Sequence, residues 1–401
     1  MPAVYAIATM DTKGEELAFV AQCLKQAGVD VLTVDVGTLT DPVVTPDILR
    51  QQVLGDRTPL PEDDRGSAVT EMGEALTDFL VGELAEDQVC GVIGIGGSGG
   101  TALISAALRA VPIGLPKLIV STVASGNTAP YVDCTDITMM YSVVDVAGLN
   151  TVSRRVLSNA AHAMAGMVSH LLPETESKPC LGLTMFGVTT PCVTSVRETF
   201  ERRGYDCLVF HATGTGGRAM EGLVRAGMIQ GVLDVTTTEV ADQIVGGIMP
   251  AGPARFDALV ESELPFVLST GAMDMVNFGG LETVPDQFRG RNLHVHNAQV
   301  TLMRTSVEEN IRMAKWMAEK LNRATTPFTV LLPEGGVSLL DVPGQPFYDP
   351  EADTALFETL EAAIQPAAGR KIVRMPQHIN DPVFATALVD AFVKLSHEKQ
   401  G

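Results

Sequence analysis

The stretch Val89-Cys-Gly-Val-Ile-Gly-Ile-Gly-Gly-Ser-Gly-Gly-Thr101 joins an apolar, strand-like run to a run of glycines that opens a helical segment. The pattern predicts a strand over 89–95, a glycine loop, and a helix over about 101–109. Repeated units of strand, loop and helix build parallel sheets, because the chain needs a crossover to return to the next parallel strand. This stretch therefore predicts an α/β fold.

The same alternation of strand-like and helical runs extends over nearly the whole chain. Thr12 and Glu15 have the spacing of a capping box at the start of a helix, and so have Ser306 and Glu309. The apolar runs predict strands at about 3–9, 30–35, 117–122, 181–186, 207–211, 231–235, 266–269, 292–296, 328–332 and 371–375. The amphipathic runs predict helices at about 14–27, 67–86, 148–171, 307–323 and 383–397.

A segment with the composition of a linker, residues 172–180, divides this pattern into two halves. We predict an N-terminal α/β nucleotide-binding domain over residues 1–175 and a C-terminal α/β domain over residues 181–401. Each is expected to be doubly wound around a mainly parallel sheet, with the ligand loops of both facing a shared crevice. The last helix could pack on either domain.

A strong excess of acidic residues restricts the classes of partner. The 401 residues include 28 Lys and Arg against 48 Asp and Glu, a formal net charge of −20, and only 5% are aromatic. Binding to nucleic acid needs a basic surface or a stacking platform, so neither is expected. The chain has no long apolar run, no basic leader and no C-x-x-C pair. We expect a cytoplasmic protein without a nucleic-acid or membrane partner and without a metal site built from protein ligands alone.

The glycine run is the strongest candidate for a ligand site. Five of the seven residues from Gly94 to Gly100 are glycines, which permit positive φ and a close approach of a ligand to the backbone. Successive N–H groups at a helix start can bind a phosphate or carboxylate. No Lys follows, so the loop is not a P-loop. A dinucleotide fingerprint follows the strand that opens its βαβ unit, whereas this loop follows a later strand. The alternative is a tight turn without a ligand. The predicted anion-binding residues are Gly96, Gly97, Ser98, Gly99, Gly100 and Thr101.

Polar residues after other strands extend this candidate site. Lys13 can neutralise a phosphate, whereas Asp11 can approach one only if Mg²⁺ lies between them. The alternative is local: Thr12 caps the helix and both charges face water. Asp35 ends the second strand, where an acid can bind a ribose. The ligand-binding candidates after the first strand are Asp11, Thr12 and Lys13, and those after the strand at 117–122 are Ser125, Gly126, Asn127 and Thr128.

The second half carries polar residues at many strand ends, which indicates a ligand crevice. Its Thr215-Gly-Gly-Arg-Ala-Met echoes Ser98-Gly-Gly-Thr-Ala-Leu of the first half. Glu239 and His378 are the predicted catalytic residues, as general base or acid, because both types can be tuned toward a neutral pKa. The structural alternatives are that Glu239 caps a helix and that His378 packs a turn beside Pro376.

Longer motifs carry a family resemblance: Ile7-Ala-Thr-Met-Asp-Thr-Lys-Gly-Glu-Glu, Gly94-Ile-Gly-Gly-Ser-Gly-Gly-Thr, His211-Ala-Thr-Gly-Thr-Gly-Gly, Asp234-Val-Thr-Thr-Thr-Glu, Pro333-Glu-Gly-Gly-Val-Ser and Met375-Pro-Gln-His-Ile-Asn-Asp-Pro. Together they are similar to those of the Tm-1-like ATP-binding proteins, also called the UPF0261 family, over about residues 3–398. The resemblance implies two α/β subdomains, ATP binding and a homodimer. It implies no settled reaction.

Two functions are compatible with these observations. The first is a nucleotide-binding protein whose cofactors are ATP and Mg²⁺, with the phosphates on the glycine loop. The alternative is an enzyme that acts on a phosphorylated or carboxylated metabolite in the crevice between the domains. The family resemblance favours the first, and the polar strand ends of the second half favour the alternative. The expected partners are a nucleotide or another anionic small molecule and a second copy of the chain.

Overall fold

The computed structural model describes residues 2–57, 64–170 and 178–400. The chain forms two compact units, Met1–Thr175 and Glu176–Gly401. Most of the predicted linker, residues 172–177, lies outside the described residues, as does part of the proline-rich segment near residue 60.

The N-terminal unit is built on one parallel sheet with the strand order β2-β1-β3-β4-β5. Its strands are β1 (Ala3–Ala8), β2 (Val31–Asp35), β3 (Val89–Gly96), β4 (Lys117–Ser121) and β5 (Thr138–Tyr141). Its helices are α1 (Met10–Gln26), α2 (Arg50–Leu54), α3 (Arg65–Ala85), α4 (Ser98–Leu108), α5 (Ala129–Val132) and α6 (Thr151–Ser169).

Helices cover both faces of this sheet, as expected for a doubly wound fold. One face packs on α1 and α6 through residues such as Leu17 and Leu157, and the other packs on α3 and α4 through residues such as Leu76 and Ile104. All six residues of β1 are buried. Because both faces are covered, the central strands are apolar runs without alternation.

The C-terminal unit has a six-stranded parallel sheet with the order β14-β13-β9-β8-β6-β7. A separate antiparallel sheet has the order β10-β12-β11. The strands are β6 (Cys180–Met185), β7 (Asp206–His211), β8 (Gly231–Thr236), β9 (Phe266–Gly271), β10 (Met275–Phe278), β11 (Leu293–Asn297), β12 (Val300–Arg304), β13 (Phe328–Pro333) and β14 (Arg370–Met375). The helices are α7 (Thr190–Arg202), α8 (Thr215–Arg225), α9 (Glu239–Val245), α10 (Asp257–Glu261), α11 (Val307–Leu321), α12 (Pro350–Ala363) and α13 (Pro382–Gln400).

This sheet is also covered on both faces. Helices α7 and α13 pack on one face through residues such as Phe200 and Phe392, and the other face carries the core of α8, α11 and α12. The last helix, α13, therefore belongs to the C-terminal unit. The strand predicted near 292–296 is β11, which pairs antiparallel with β12 instead of joining the parallel sheet. A short connection between two strands allows only the antiparallel arrangement.

One of the two predicted capping boxes is formed. The Ser306 side chain accepts a hydrogen bond from the N–H of Glu309, whose carboxylate accepts one from the N–H of Ser306. The prediction for Thr12 is wrong: α1 begins at Met10, and the Thr12 hydroxyl donates to the carbonyl of Thr9. Non-helical backbone angles at Lys13 separate this first turn from the rest of α1.

Candidate functional site

The loops at the carboxyl edge of the N-terminal sheet form a small pocket of about 50 Å³. Because β1 lies between β2 and β3, the loops that follow these three strands are neighbours. The structure thus brings Asp11 and Thr12 together with Gly99 and Gly100, as the sequence predicted. The full lining is Thr9, Asp11, Thr12, Thr38, Leu39, Arg65, Val69, Gly99, Gly100 and Leu103.

The glycine loop after β3 is held in one conformation by close backbone contacts. A Cβ on Gly96 would lie 2.6 Å from the Thr101 nitrogen, so only glycine fits there. The Thr101 hydroxyl lies 2.6 Å from the Ser121 hydroxyl, which ties the loop to the end of β4. Glycine permits positive φ, but none of the glycines from Gly94 to Gly100 has it. Close approach to other atoms explains Gly94 and Gly96, where an added Cβ would lie 2.7 Å and 2.6 Å from its nearest neighbour.

The glycines form the first turn of α4, which begins at Ser98, three residues earlier than predicted. The N–H of Thr101 donates to the carbonyl of Gly97 at 2.8 Å, the first bond of the helix. Within the described part of the chain, no acceptor bonds the N–H groups of Ser98, Gly99 and Gly100. A Cβ on Gly99 would meet no atom within 4 Å. The space beside Gly99 is therefore open, and the three N–H groups remain available at the helix start.

Two carboxylates lie beside this pocket. Asp11 Oδ2 accepts the N–H of Leu39 at 3.1 Å. Asp35 is wholly buried; its Oδ1 accepts the N–H groups of Met10 and Gly37, and its Oδ2 has no hydrogen-bond donor among the described residues. Burial raises the pKa of Asp35, the bonds from Gly37 and Met10 oppose this, and the charge of Asp11 adds to it. Because Asp35 is buried, it fixes the two loops and does not offer an exposed ribose ligand.

Arg65, at the start of α3, is the charged pocket residue that sequence reasoning missed. The preceding stretch is acidic and rich in proline, which is typical of an exposed surface segment. Nothing in the local sequence therefore indicated that Arg65 would line a pocket. The uncharged lining residues that were not predicted either are Thr38, Leu39, Val69 and Leu103. Of the other predicted ligand residues, Lys13 and Ser98 do not line this pocket. The segment Ser125–Thr128 follows β4 with its first three residues exposed, and Asn127 accepts the N–H of Ala129. The structure does not place that segment in the pocket.

The second glycine loop, before α8, is filled by a side chain of the protein. Glu239 Oε1 accepts the N–H groups of Gly214 at 2.8 Å and Gly217 at 3.1 Å. Its other oxygen, Oε2, accepts Nε–H of Arg255 at 3.1 Å. Glu239 is 0% exposed. The two loops with similar sequences thus differ: one binds an internal carboxylate and the other has open donors.

Arg255 is the centre of a buried ionic cluster. It is 1% exposed and bonds Glu221 at 2.9 Å, Asp234 at 2.7 Å and Glu239 at 3.1 Å. Burial alone would lower the pKa of Arg255, but the three carboxylates raise it above its usual value. Burial raises the pKa of Glu221 and Asp234, and Arg255 opposes that rise. The cluster fixes the loop before α8 to the end of β8.

His378 has both ring nitrogens engaged by the backbone. Its Nδ1 accepts the N–H of Asn380 at 3.0 Å, so Nε2 carries the proton and donates to the carbonyl of Ser338 at 2.8 Å. Strand β14 lies three strands from β8, which separates His378 and Glu239 by roughly 14 Å of sheet. The two predicted catalytic residues therefore do not meet. Both have structural partners, and their catalysis stays a prediction.

The described residues contain neither a membrane-spanning helix nor a cluster of metal ligands. No helix in residues 2–57, 64–170 and 178–400 has the length and apolar character needed to cross a membrane. In the same residues, no three His, Cys, Asp or Glu side chains converge as metal ligands would.

Comparison with known proteins identifies the family. The UPF0261 N-terminal domain matches residues 2–172, and the C-terminal domain of the same family, described as uncharacterised, matches residues 178–396. A UPF0261 protein of Rhizobium meliloti (strain 1021) is 52% identical over 397 residues, which cover 98% of each chain. The ToMV resistance protein Tm-1(GCR237) of Solanum lycopersicum is 48% identical over 421 residues, which cover 98% of this chain and 56% of that one. The chain thus spans about half the length of the tomato relative.

Among solved structures, one similar chain is the UDP-GlcNAc 2-epimerase of Methanocaldococcus jannaschii in complex with UDP-GlcNAc and UDP. It aligns over 98% of this chain and 93% of its own, with 9% identity and a TM-score of 0.23. A score this low carries no conclusion about function. The matches of both family domains and of the similar relatives confirm the resemblance seen in the motifs: the chain belongs to the UPF0261 family.

Proposed function

We propose that the N-terminal unit binds ATP as its Mg²⁺ complex, with a phosphate group on the N–H groups of Ser98, Gly99 and Gly100. One observation carries the proposal: these donors at a helix start lack an acceptor among the described residues, and two of the three residues, Gly99 and Gly100, line a pocket. Helix starts of this kind bind anions because their amides and the helix dipole both favour negative charge.

The second glycine loop supports this assignment from within the same chain. Gly214 and Gly217 donate to the Glu239 carboxylate, which shows that a loop of this sequence type binds an anion. The first loop also places N–H groups at the start of a helix, and no carboxylate among the described residues accepts from those of Ser98, Gly99 and Gly100. A pocket of about 50 Å³ suits a single phosphoryl group, since one water molecule needs about 10–15 Å³ on the same measure.

The charges around the pocket support a metal–phosphate ligand over a bare phosphate. Asp11 would repel a phosphate unless a cation lay between them, and Mg²⁺ commonly binds one or two carboxylates together with substrate phosphates. Asp11 and the hydroxyls of Thr9 and Thr12 line the pocket and suit Mg²⁺, whereas Arg65 suits the phosphate. ATP is the nucleotide that the family resemblance implies.

Gly99→Val should weaken binding of Mg-ATP at least about 10-fold, because the added side chain enters the open space in front of the donors. That factor corresponds to about 1.4 kcal/mol. The fold should persist, since the new Cβ meets no protein atom within 4 Å. Isothermal titration calorimetry measures the affinity, and circular dichroism checks the fold.

Gly82→Val is the matched control for this experiment. Gly82 is an exposed helical glycine of α3, and a Cβ there also meets nothing within 4 Å. This variant should bind Mg-ATP like the wild type. Equal affinity in folded Gly99→Val and wild type, or no binding by the wild type, would contradict the proposed site.

Asp11→Asn should reduce the dependence of ATP binding on Mg²⁺. In the wild type, binding should be tighter with Mg²⁺ than with EDTA, because the cation screens Asp11 from the phosphates. In the variant the two affinities should converge. Calorimetry with and without Mg²⁺ tests this, and an unchanged ratio of affinities would remove Asp11 from the metal site.

Two further proposals are a homodimer, which the family resemblance implies, and a cytoplasmic location, which the scattered cysteines without a C-x-x-C pair favour. The dimer predicts a mass of twice 42.5 kDa in light scattering of the purified protein. A single-chain mass across the micromolar range would refute it.

A further inference from the structure

A second buried ionic cluster surrounds Arg304, at the end of β12. Three carboxylates share this one guanidinium: Asp274 follows β9, Asp341 lies in the loop after β13, and Asp353 is in the first turn of α12. Arg304, Asp274 and Asp341 are 4%, 1% and 0% exposed, and Asp353 is 6% exposed. Buried charges need partners, so a single cation leaves this cluster with an excess of negative charge.

Asp274 and Asp341 each have a buried oxygen without a hydrogen-bond donor among the described residues, and Asp341 is the one that shares a guanidinium nitrogen with Asp353. Arg304 Nη2 lies 2.7 Å from Asp353 Oδ1 but 3.7 Å from Asp341 Oδ1, which is too long for a hydrogen bond. Asp341 Oδ2 accepts the N–H of Val337 at 2.9 Å, whereas Oδ1 is buried without a donor among the described residues. The Oδ1 atoms of Asp341 and Asp353 thus lie near the same guanidinium nitrogen, and the two carboxyl groups interact with each other. Two buried carboxylates in this position repel each other unless one of them carries a proton, which it can donate to the other.

We propose that Asp341 carries a proton that it donates to Asp353, and that this shared proton is a latch that fastens the loop after β13 to α12. The buried, donor-free Oδ1 of Asp341 is the place for that proton. The ligand of this cluster is thus the proton itself. The same arrangement holds one proton between paired carboxyl groups in other proteins, because like charges in contact cannot both ionise.

The latched loop, residues 334–341, joins several strand ends of the C-terminal sheet. Its backbone bonds the loops after β6, β9 and β14, through Leu339 to Val188, Ala272 to Val337, and Ile379 to Gly336. Gly336 has φ +121°, and a Cβ there would lie 1.8 Å from the Asp341 carbonyl oxygen. If the loop separated from α12 at Asp341, its backbone bonds to the other strand ends at the carboxyl edge of the C-terminal sheet would therefore weaken.

The charged groups that face the pair come from each neighbouring element. Arg304 lies on β12, Asp274 follows β9, and Asp349 precedes α12. From the loop after β14, His378 donates to the carbonyl of Ser338 in the latched loop. Glu334 lines a pocket of about 80 Å³ together with Asp353, and it pairs with Arg374.

The pKa directions agree with a retained proton. Burial, followed by the charges of Asp353 and Asp274, raises the pKa of Asp341 to about 9. Burial also raises the pKa of Asp353, although Arg304 opposes that rise. An acid whose pKa is higher folded than unfolded binds more protons in the folded state, so stability falls as pH rises from about 4 to about 9 and levels off above that.

Asp341→Asn tests the latch, because the amide can donate to Asp353 and still accept from Val337 without any proton to lose. One extra bound proton lowers the melting temperature by on the order of 3 °C per pH unit in a unit of this size. The wild type should show this slope between pH 6 and pH 9, and Asp341→Asn should lack that part of it. Asp390→Asn, an exposed acid of α13, is the control and should keep the wild-type slope.

Infrared spectroscopy of the wild type gives a second readout that does not depend on the variant folding. The carbonyl band of a protonated carboxyl group should be present at pH 8 and lost by pH 10.5. Over the same range, hydrogen exchange in residues 334–341 should increase beyond its intrinsic pH dependence. A wild-type spectrum without that band at pH 8, or equal slopes in Asp341→Asn and wild type, would overturn the proposal.

Discussion

Arg255→Met should lower the free energy of unfolding of the C-terminal unit by about 3–5 kcal/mol, the range for a buried ion pair that loses one partner. The guanidinium binds the carboxylates of Glu221, Asp234 and Glu239, all of them buried. Its removal leaves Asp234 and Glu239 in the interior without their cation. Among the described residues, it leaves Glu221 with only Arg225, at 4.0 Å. Urea unfolding, followed by circular dichroism, measures the loss.

The pH dependence of this variant separates lost charge from lost packing. Without Arg255, the pKa values of Glu221 and Asp234, already raised by burial, should rise further. The folded variant then binds more protons than the unfolded chain. Its loss of unfolding free energy relative to the wild type should therefore become smaller from pH 8 to pH 5. Arg323→Met is the control: Arg323 is about half exposed, and its exposed ion pair should contribute below about 1 kcal/mol. If the loss of stability does not change with pH, it comes from the lost packing contacts of Arg255 and not from its charge.

Local patterns predicted the parallel sheets because those patterns follow directly from burial. The run Ala3–Ala8 is apolar at every position, and the structure covers both of its faces. The capping box at Ser306 was predicted for the same reason, since its two residues interact across three positions. The neighbouring positions of Asp11 and the glycine loop follow from the rule that parallel strands end at one edge.

The ionic clusters were not predictable in this way. Arg255 bonds Glu221 across 34 positions, and Arg304 bonds Asp353 across 49. Arg255 follows Gly252-Pro-Ala, a sequence typical of an exposed turn. Nothing in the local sequence therefore indicates that the arginine is buried. Glu239 was predicted to be catalytic from its position after β8; its partners show that it holds the loop before α8, and the catalytic role stays a prediction.

Arg65 was missed for a related reason. It lies at the start of α3, as does Val69 one turn further on, while the other residues of the pocket follow β1, β2 and β3. A rule based on strand ends finds the residues that follow strands and no others. Only the packing of α3 beside α4, which depends on the complete fold, brings that arginine to the glycine loop.

Glu239→Ala should lower the free energy of unfolding by about 3 kcal/mol, and added acetate should restore part of it. The truncation leaves the N–H groups of Gly214 and Gly217 and Nε of Arg255 around an empty space. A buried donor without a partner costs about 1–3 kcal/mol, more when it is charged. Acetate has the size and charge of the deleted atoms, so it can bind the same donors.

The expected result is a melting temperature of Glu239→Ala that rises with acetate concentration, as binding to the folded state requires. Sodium chloride at equal ionic strength should not reproduce the rise, and propionate should be weaker because it is larger than the cavity. The wild type should not respond, because its own carboxylate occupies the loop. If Glu239→Ala is as stable as the wild type, Glu239 is not an internal ligand, and its predicted role as a general base becomes the better explanation of its position. If the variant is destabilised and acetate rescues it, the second glycine loop is an anion site that the protein fills itself, which strengthens the case that the first loop binds a phosphate from solution.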